Sequence, residues 1–250
     1  MSSPAGTDKP AFVLVHGSWH GGWCWSRVLP LLRAAGHEAH APTLTGVGER
    51  AHLLSRDIRV DTHVQDVLGL IEAEELQRVV LVGHSYAGTV ITVVADRLQQ
   101  SRPGLLQRLV YLDACIPDPG DSWSSSNPPE IVAKRAEESR ASGGLSCPPP
   151  DAAVFGLEGA DRDWVNRRQT PQPFAVYQDP LHFDAARVAV LPRAFIECTN
   201  PALATINASR ARVRREPGWQ LIGMDCGHDP MVNRPRELAT ILLELAAQGA

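Results

Sequence analysis

Lysine is almost absent from this chain. Lys9 and Lys134 are its whole complement, and arginine carries the rest of the positive charge. The bias reads as genomic composition rather than function. The formal net charge is −4, so the basic footprint that nucleic-acid binding requires is missing. No apolar run approaches the roughly 20 residues that span a bilayer. Residues 1–10 are polar and lack a hydrophobic core segment, so they do not read as a secretory signal and are expected to form a disordered tail. The five cysteines (Cys24, Cys115, Cys147, Cys198 and Cys226) are odd in number and scattered, without a C-x-x-C pair. This argues against a zinc knuckle and a disulfide framework, and leaves a reduced cytoplasmic protein as the simplest expectation. No internal repeat is evident. What the chain does have is 250 residues, 44% of them hydrophobic, enough for one large α/β domain or a domain with an insertion.

Short continuous apolar runs mark strands buried on both faces: Ala11 to His16, Val79 to Val82, Leu109 to Asp113, Arg193 to Cys198 and Trp219 to Gly223. A further strand is expected over His37 to Ala41, stopped by Pro42. Between them lie helical patterns over Trp23–Ala35, Val60–Glu75, the segment after Ser85 to about Gln100, Pro201–Arg215 and Pro235–Ala247. Thr43 to Arg59 reads as an irregular loop. Strand–helix alternation predicts a mostly parallel sheet with helices on both faces. The span Ala114 to Leu191 breaks the alternation. It is rich in proline and carries Trp123, Phe155, Trp164, Tyr177 and Phe183. A loop of that length is improbable inside a compact domain. It reads as an inserted cap of short helices (114–191) between two core segments (11–113 and 192–250). Its aromatics either line an apolar pocket or build the cap's own small core.

The densest chemical signal is Arg78-Val-Val-Leu-Val-Gly-His-Ser-Tyr-Ala-Gly88. A buried strand, a tight turn and a helix would hold the Ser85 hydroxyl above the sheet edge, with free helix N–H groups aimed at the same point. The pattern is G-x-S-x-G with Ala87 in the last position and Gly88 following. The bland alternative is a strand-to-helix turn with a serine N-cap. A serine nucleophile needs a base, and in this topology the base comes late in the chain. His228 meets that order, in a glycine-flanked loop between the last strand and the last helix. The oxyanion of an acyl-transfer intermediate needs two backbone donors. Tyr86, directly after the serine, supplies one, and Ser18, in the glycine-rich turn His16 to Gly22, supplies the other.

The orienting acid is open between two residues. The strand Arg193–Cys198 ends Glu197-Cys-Thr-Asn200, without a carboxylate at its tip. Asp113, at the end of the preceding strand, faces the same edge and is the preferred candidate. Glu197 lies within its strand. Asp225 and Asp229 are too close to His228 in sequence to reach its far nitrogen. His16 and His20 straddle a strand end and a turn, so their four-residue spacing does not make a metal pair, and no closed ligand set is present. Neither a metal nor a cofactor is expected.

Phe12 to Trp25, Pro42 to Arg50, Gly83 to Gly88 and Gly227 to Met231 together resemble the α/β-hydrolase superfamily. Within it they are similar to the plant methyl esterase and hydroxynitrile lyase group and to bacterial esterases of the carbendazim-hydrolysing type. The resemblance runs from about Ala11 to the C-terminus and is weak through 114–191. It implies the same nucleophile, base and oxyanion donors, and leaves no room for the superfamily's opening antiparallel hairpin. The lyases of this group look for threonine where this chain has Gly17 and lysine where it has Asp229. An aspartate would repel a departing cyanide, so ester hydrolysis is the expected activity, on an ester, carbamate or lactone of a small or mid-sized apolar substrate. A non-hydrolytic enzyme on the same frame and a small-molecule receptor are the alternatives. The expected partner is a small-molecule substrate, not nucleic acid or membrane, with a homodimer left open.

Overall fold

The computed structural model describes residues 9–248, so residues 1–8 of the expected tail lie outside the described residues. Lys9 and Pro10 are held in place: Lys9 Nζ donates to Ala35 O, and the Pro10 carbonyl accepts from His37 Nδ1.

The chain first lays down β1 (Ala11–Val15), α1 (Leu29–Ala34), β2 (Ala39–His40), α2 (Val60–Ala73), β3 (Val79–His84), α3 (Ala87–Ser101) and β4 (Leu106–Leu112). The segment after β4 holds α4 (Pro129–Ser139), a two-stranded antiparallel ribbon of β5 (Ser146–Cys147) and β6 (Gln172–Pro173), α5 (Gly159–Asn166) and α6 (Ala185–Ala189). Then follow β7 (Arg193–Cys198), α7 (Asn207–Arg215), β8 (Trp219–Met224), α8 (Pro230–Asn233) and α9 (Pro235–Ala247). Six strands form one parallel sheet in the order β2-β1-β3-β4-β7-β8.

Alternating side chains divide the core between the two faces of the sheet. Val13, Val15, Leu81, Leu109, Tyr111 and Phe195 pack with Val64, Val67, Ile71, Val90 and Ile91 of α2 and α3. Phe12, Leu14, Val80, Val82, Val110 and Ile196 pack with Leu32 of α1 and Leu238 and Leu242 of α9. Both sides of each central strand are thus buried, which is why these strands read as continuous apolar runs rather than alternating ones. Burying each such valine or leucine contributes roughly 1.5–3 kcal/mol.

Several boundaries differ from the sequence expectation for local reasons. The expected helix Trp23–Ala35 is two pieces, a 3-10 turn over Gly22–Trp25 and α1, because Pro30 cannot serve as an interior helix donor and sits in the first turn of α1. The expected strand His37–Ala41 contracts to Ala39–His40 at the sheet edge. The expected loop Thr43–Arg59 contains a 3-10 helix, Gly48–Leu53. The helix expected from Pro201 begins as a 3-10 turn at Ala204 and becomes α-helical only at Asn207. Upstream, Thr199 N and Asn200 N are bonded to Met224 O and Cys226 O, which keeps that backbone out of a helix. Among the described residues no helix is long and apolar enough to cross a membrane.

Two glycines show what the fold tolerates. A Cβ on Gly88, in the first turn of α3, would stand 2.0 Å from Cys115 O, whereas one on Gly69, in the exposed middle of α2, would meet nothing within 4 Å. Alanine relieves a glycine's backbone entropy in either helix. Gly69→Ala should therefore raise stability by about 0.5–1 kcal/mol, while Gly88→Ala should lower the melting midpoint clearly. Thermal unfolding of the two variants checks the opposite signs.

Candidate active site

Parallel register brings the C-terminal ends of β1, β3, β4 and β7 to one edge. Val15 pairs with Gly83, His84 with Leu112, and Leu112 with Ile196. The residues just beyond are Ser85 and Asp113, with the turn starting at Gly17 alongside. Ser85, Asp113 and Trp19 all hold positive φ (56°, 41° and 65°), a region costly to non-glycine residues. Such strain concentrates where structure over-determines a working geometry. At Ser85 it is locked by hydrogen bonds: Ser85 N donates to Leu112 O, and Ser85 O accepts from Gly88 N and Cys115 N. A Cβ on Gly17 would lie 2.8 Å from Ser85 Cβ, so this turn can approach the serine only as glycine.

His228 follows β8, and its amide donates to Phe155 O. Its Nδ1–H donates to Asp113 Oδ2 at 2.7 Å, and both side chains are buried. In the neutral ring this bond keeps the proton on Nδ1 and leaves the Nε2 lone pair to accept one. Glu197, the other candidate acid, is turned away. It pairs with Arg214 and lies 3.6 Å from Arg210 Nε. Among the described residues no hydrogen bond joins the Ser85 hydroxyl to His228. The two share close neighbours: the His84 ring lies 4.5 Å from the His228 ring, and a Cβ on Gly17 would be 2.9 Å from His84 Nδ1 as well as beside Ser85. Nucleophile–base hydrogen bonds commonly tighten only when substrate is bound.

Ser18 and Tyr86 flank Ser85, and the amide of neither is hydrogen-bonded to another group among the described residues. Tyr86 stands at the N-terminus of α3, where the helix dipole favours negative charge. Its ring is fixed from behind, its hydroxyl donating to His63 Nδ1, while His63 Nε2–H donates to Thr45 O. Burial lowers the His63 pKa to about 4, so it stays neutral in this role. His16 likewise is neutral, its pKa lowered to about 3 by burial, donating to Gly17 O and accepting from Leu44 N. In front of Ser85 lies a cavity of about 180 Å³, walled by Trp123, Phe155 and Tyr177 from the segment between β4 and β7. Tyr177 donates its hydroxyl proton to Ser18 Oγ at 2.9 Å. Trp164 is not part of this wall. It packs edge-on against Trp23 instead.

Behind the His228 loop sits a buried charge pair that the sequence did not suggest. His20 Nδ1 faces Ser18 O at 2.8 Å, and His20 Nε2 faces Asp229 Oδ2 at 3.0 Å. A carbonyl and a carboxylate only accept, so both ring nitrogens carry protons and His20 is an imidazolium. Burial opposes that charge, but the Asp229 carboxylate outweighs it and raises the His20 pKa overall. For Asp229 burial pushes the other way from His20, and the imidazolium prevails, holding the carboxyl below its ordinary value. His20 also stacks on Trp23 at 5.2 Å, a favourable seat for a cation. His84 is neutral, its pKa lowered well below normal by burial and then by His228, and its Nε2–H donates to His228 O. His84, His228 and Asp229 bring ligand-type atoms within 4.8 Å of one another. In each residue one of those atoms already serves a hydrogen bond: His228 Nδ1 to Asp113, His84 Nε2 to His228 O, Asp229 Oδ2 to His20.

The structure therefore gathers Ser85, His228, Asp113, Ser18 and Tyr86 at one sheet edge and leaves Glu197 apart. Three partners were not legible beforehand: His20, Asp229 and Arg210, whose Nη2 donates to Asp113 Oδ1 at 2.7 Å. Asp229 is indeed not the partner of His228 Nδ1, yet it is the partner of His20.

A sequence model of the alpha/beta hydrolase family matches residues 12–241. A carbendazim hydrolyzing esterase from Nocardioides sp. (strain SG-4G) is 44% identical, with 95% of this chain and 99% of that protein aligned. Methylesterase 7 of Arabidopsis thaliana is 26% identical, over 97% of this chain and 98% of the relative. Among solved structures, an extracellular alpha/beta-hydrolase from a Paenibacillus species superposes with a TM-score of 0.82 at 22% identity, covering 94% of this chain and 98% of the other.

The His20–Asp229 pair makes stability pH-dependent in a definite direction. The raised His20 pKa contributes stability that is full below its ordinary value of 6.5 and is lost as pH rises through the raised value. The lowered Asp229 pKa contributes stability present above its ordinary 3.8 and lost as pH falls through the lowered value. Asp229→Asn should thus destabilise by roughly 3 kcal/mol near pH 5–6, and the gap from wild type should narrow toward alkaline pH. Urea unfolding between pH 5 and 9 measures this. A gap that is flat or grows with pH would mean His20 is neutral.

Proposed function

The chain belongs to the alpha/beta hydrolase family, and from that premise we propose that it is a serine esterase, a carboxylic ester hydrolase working through an acyl-enzyme. The observation that carries this reading is the buried 2.7 Å bond between His228 and Asp113, at the sheet edge where Ser85 is held in a left-handed turn. In this reading Ser85 Oγ attacks the ester carbonyl carbon, and its proton passes to His228 Nε2. Asp113 stays ionised, keeps the Nδ1–H tautomer in place and balances the imidazolium that forms. The carbonyl electron pair moves onto oxygen, where the amides of Ser18 and Tyr86 receive it. Collapse of the intermediate expels the alcohol, which takes the proton from His228. Water then attacks the acyl-enzyme with His228 again as base, releasing the acid and restoring Ser85.

A cavity of about 180 Å³ with aromatic walls suits a small or mid-sized apolar acyl or alcohol group on an ester or related carbamate or lactone. The relatives named for carbendazim hydrolysis and for methyl ester cleavage support a small leaving group. Five unpaired cysteines support a cytoplasmic setting.

Hydrolysis of chromogenic short-acyl esters is the direct test. Ser85→Ala should lose about 10⁴-fold or more in kcat, and equal rates in variant and wild type would remove the serine from the mechanism. Asp113→Asn should lose about 10³–10⁴-fold, and Glu197→Gln far less. The reverse order would reassign the acid.

A further inference from the structure

Asp113 works from an unusual seat. It follows β4 rather than β7, and its own backbone is already spent, its amide donating to Ile196 O. The carboxylate meets His228 on Oδ2. Among the described residues Oδ1 meets Arg210 Nη2 at 2.7 Å and the amide of Cys198 at a long 3.4 Å. Arg210 is 4% exposed. Its fork reaches three elements at once. Nη1 donates to Leu203 O and Asn207 Oδ1 at the start of α7, and Nη2 donates to Cys198 O at the end of β7 as well as to Asp113. Beyond it Glu197 and Arg214 continue the alternation of charge, so Asp113, Arg210, Glu197 and Arg214 balance. Removing a guanidinium from water is expensive and gives weak evidence for stability as such. A planar fork that fixes orientation is what arginine offers and lysine does not.

We propose that Arg210 is a positioning residue for the reaction: by clamping Asp113 Oδ1 it aims Oδ2 at His228 Nδ1, and so supplies to an acid on β4 the alignment that its own strand end does not provide. This inference rests on the Ser85–His228–Asp113 reading above. It assigns Arg210 no contact with substrate. Its loss should therefore appear in kcat and not in KM, and only while Asp113 is present to be aimed.

The test is a double-mutant cycle on chromogenic ester hydrolysis, with Arg210→Gln, Asp113→Asn and the pair together. Arg210→Gln alone is expected to lower kcat about tenfold or more, with KM within about twofold of wild type. In the Asp113→Asn background the same change should alter kcat by less than about twofold. Arg210→Lys, which keeps the charge but not the fork, should fall between wild type and Arg210→Gln. Should Arg210→Gln fail to fold, the cycle is run with Arg210→Lys, with the rate of fluorophosphonate labelling of Ser85 as a second readout. A loss of equal size in both Asp113 backgrounds would make Arg210 a fold staple and overturn the proposal, as would a loss confined to KM or an unchanged kcat. If Asp113→Asn itself retains full activity, the assignment of the acid has failed instead, a result separable from these.

Discussion

The hydrogen bond between His228 and Asp113 is the constraint around which the rest of the molecule is arranged. It joins residues 115 positions apart, both buried, and demands that a loop after β8 and the tip of β4 stand at a fixed distance. The parallel sheet meets that demand by ending its strands in register. The loop meets it through the His228 amide on Phe155 O and the His228 carbonyl under His84. Each support comes from a different part of the chain, so the pair is over-determined, as a strained site must be.

Charge is distributed around this bond on two sides. On one, the Asp113 carboxylate is met by Arg210, which in turn faces Glu197, itself paired with Arg214. On the other, the residue after His228 forms an ion pair with His20, whose second proton is donated to the Ser18 carbonyl. Ser18, which lines the cavity beside Ser85, belongs to the turn that this carbonyl anchors. The His228 loop and this turn are thus fastened to each other by a single imidazolium. The neighbouring histidines, 16, 63 and 84, do the opposite job: burial keeps them neutral, so His16 and His63 each donate and accept between backbone groups or a tyrosine, and His84 donates to the His228 carbonyl.

How much of this can be read from residues alone depends on how local the determining contact is. The buried strands and the turn at Ser85 are local, and their apolar runs and glycines declare them. His228 declares itself by chain order and its glycine-flanked loop. Asp113 was preferred to Glu197 only for its place at a strand end, and the choice stayed open because the direction of each side chain, which separates them, is not written in the sequence. Arg210 has no distinguishing mark among Arg210, Arg212, Arg214 and Arg215 on one short helix. The charge on His20 depends on two acceptors, one of them 209 residues away. The segment between β4 and β7 was legible only as an interruption. Which of its aromatics face the cavity is a matter of packing, and Trp164 lies elsewhere.

The backbone just past Asp113 carries a further burden. Cys115 N is tied to Ser85 O, and Cys115 O lies where any side chain on Gly88 would have to go. The stretch from Asp113 to Cys115 is therefore tied to the Ser85 turn by the Cys115 amide and packed against the first turn of α3 by the Cys115 carbonyl, and the aromatic-walled segment departs at Ile116. Anyone exchanging that segment for another, to admit a bulkier molecule, can join the graft at Ile116 and keep the Asp113–Cys115 anchor, but the replacement must again offer a carbonyl where Phe155 O now receives the His228 amide and a hydroxyl where Tyr177 meets Ser18.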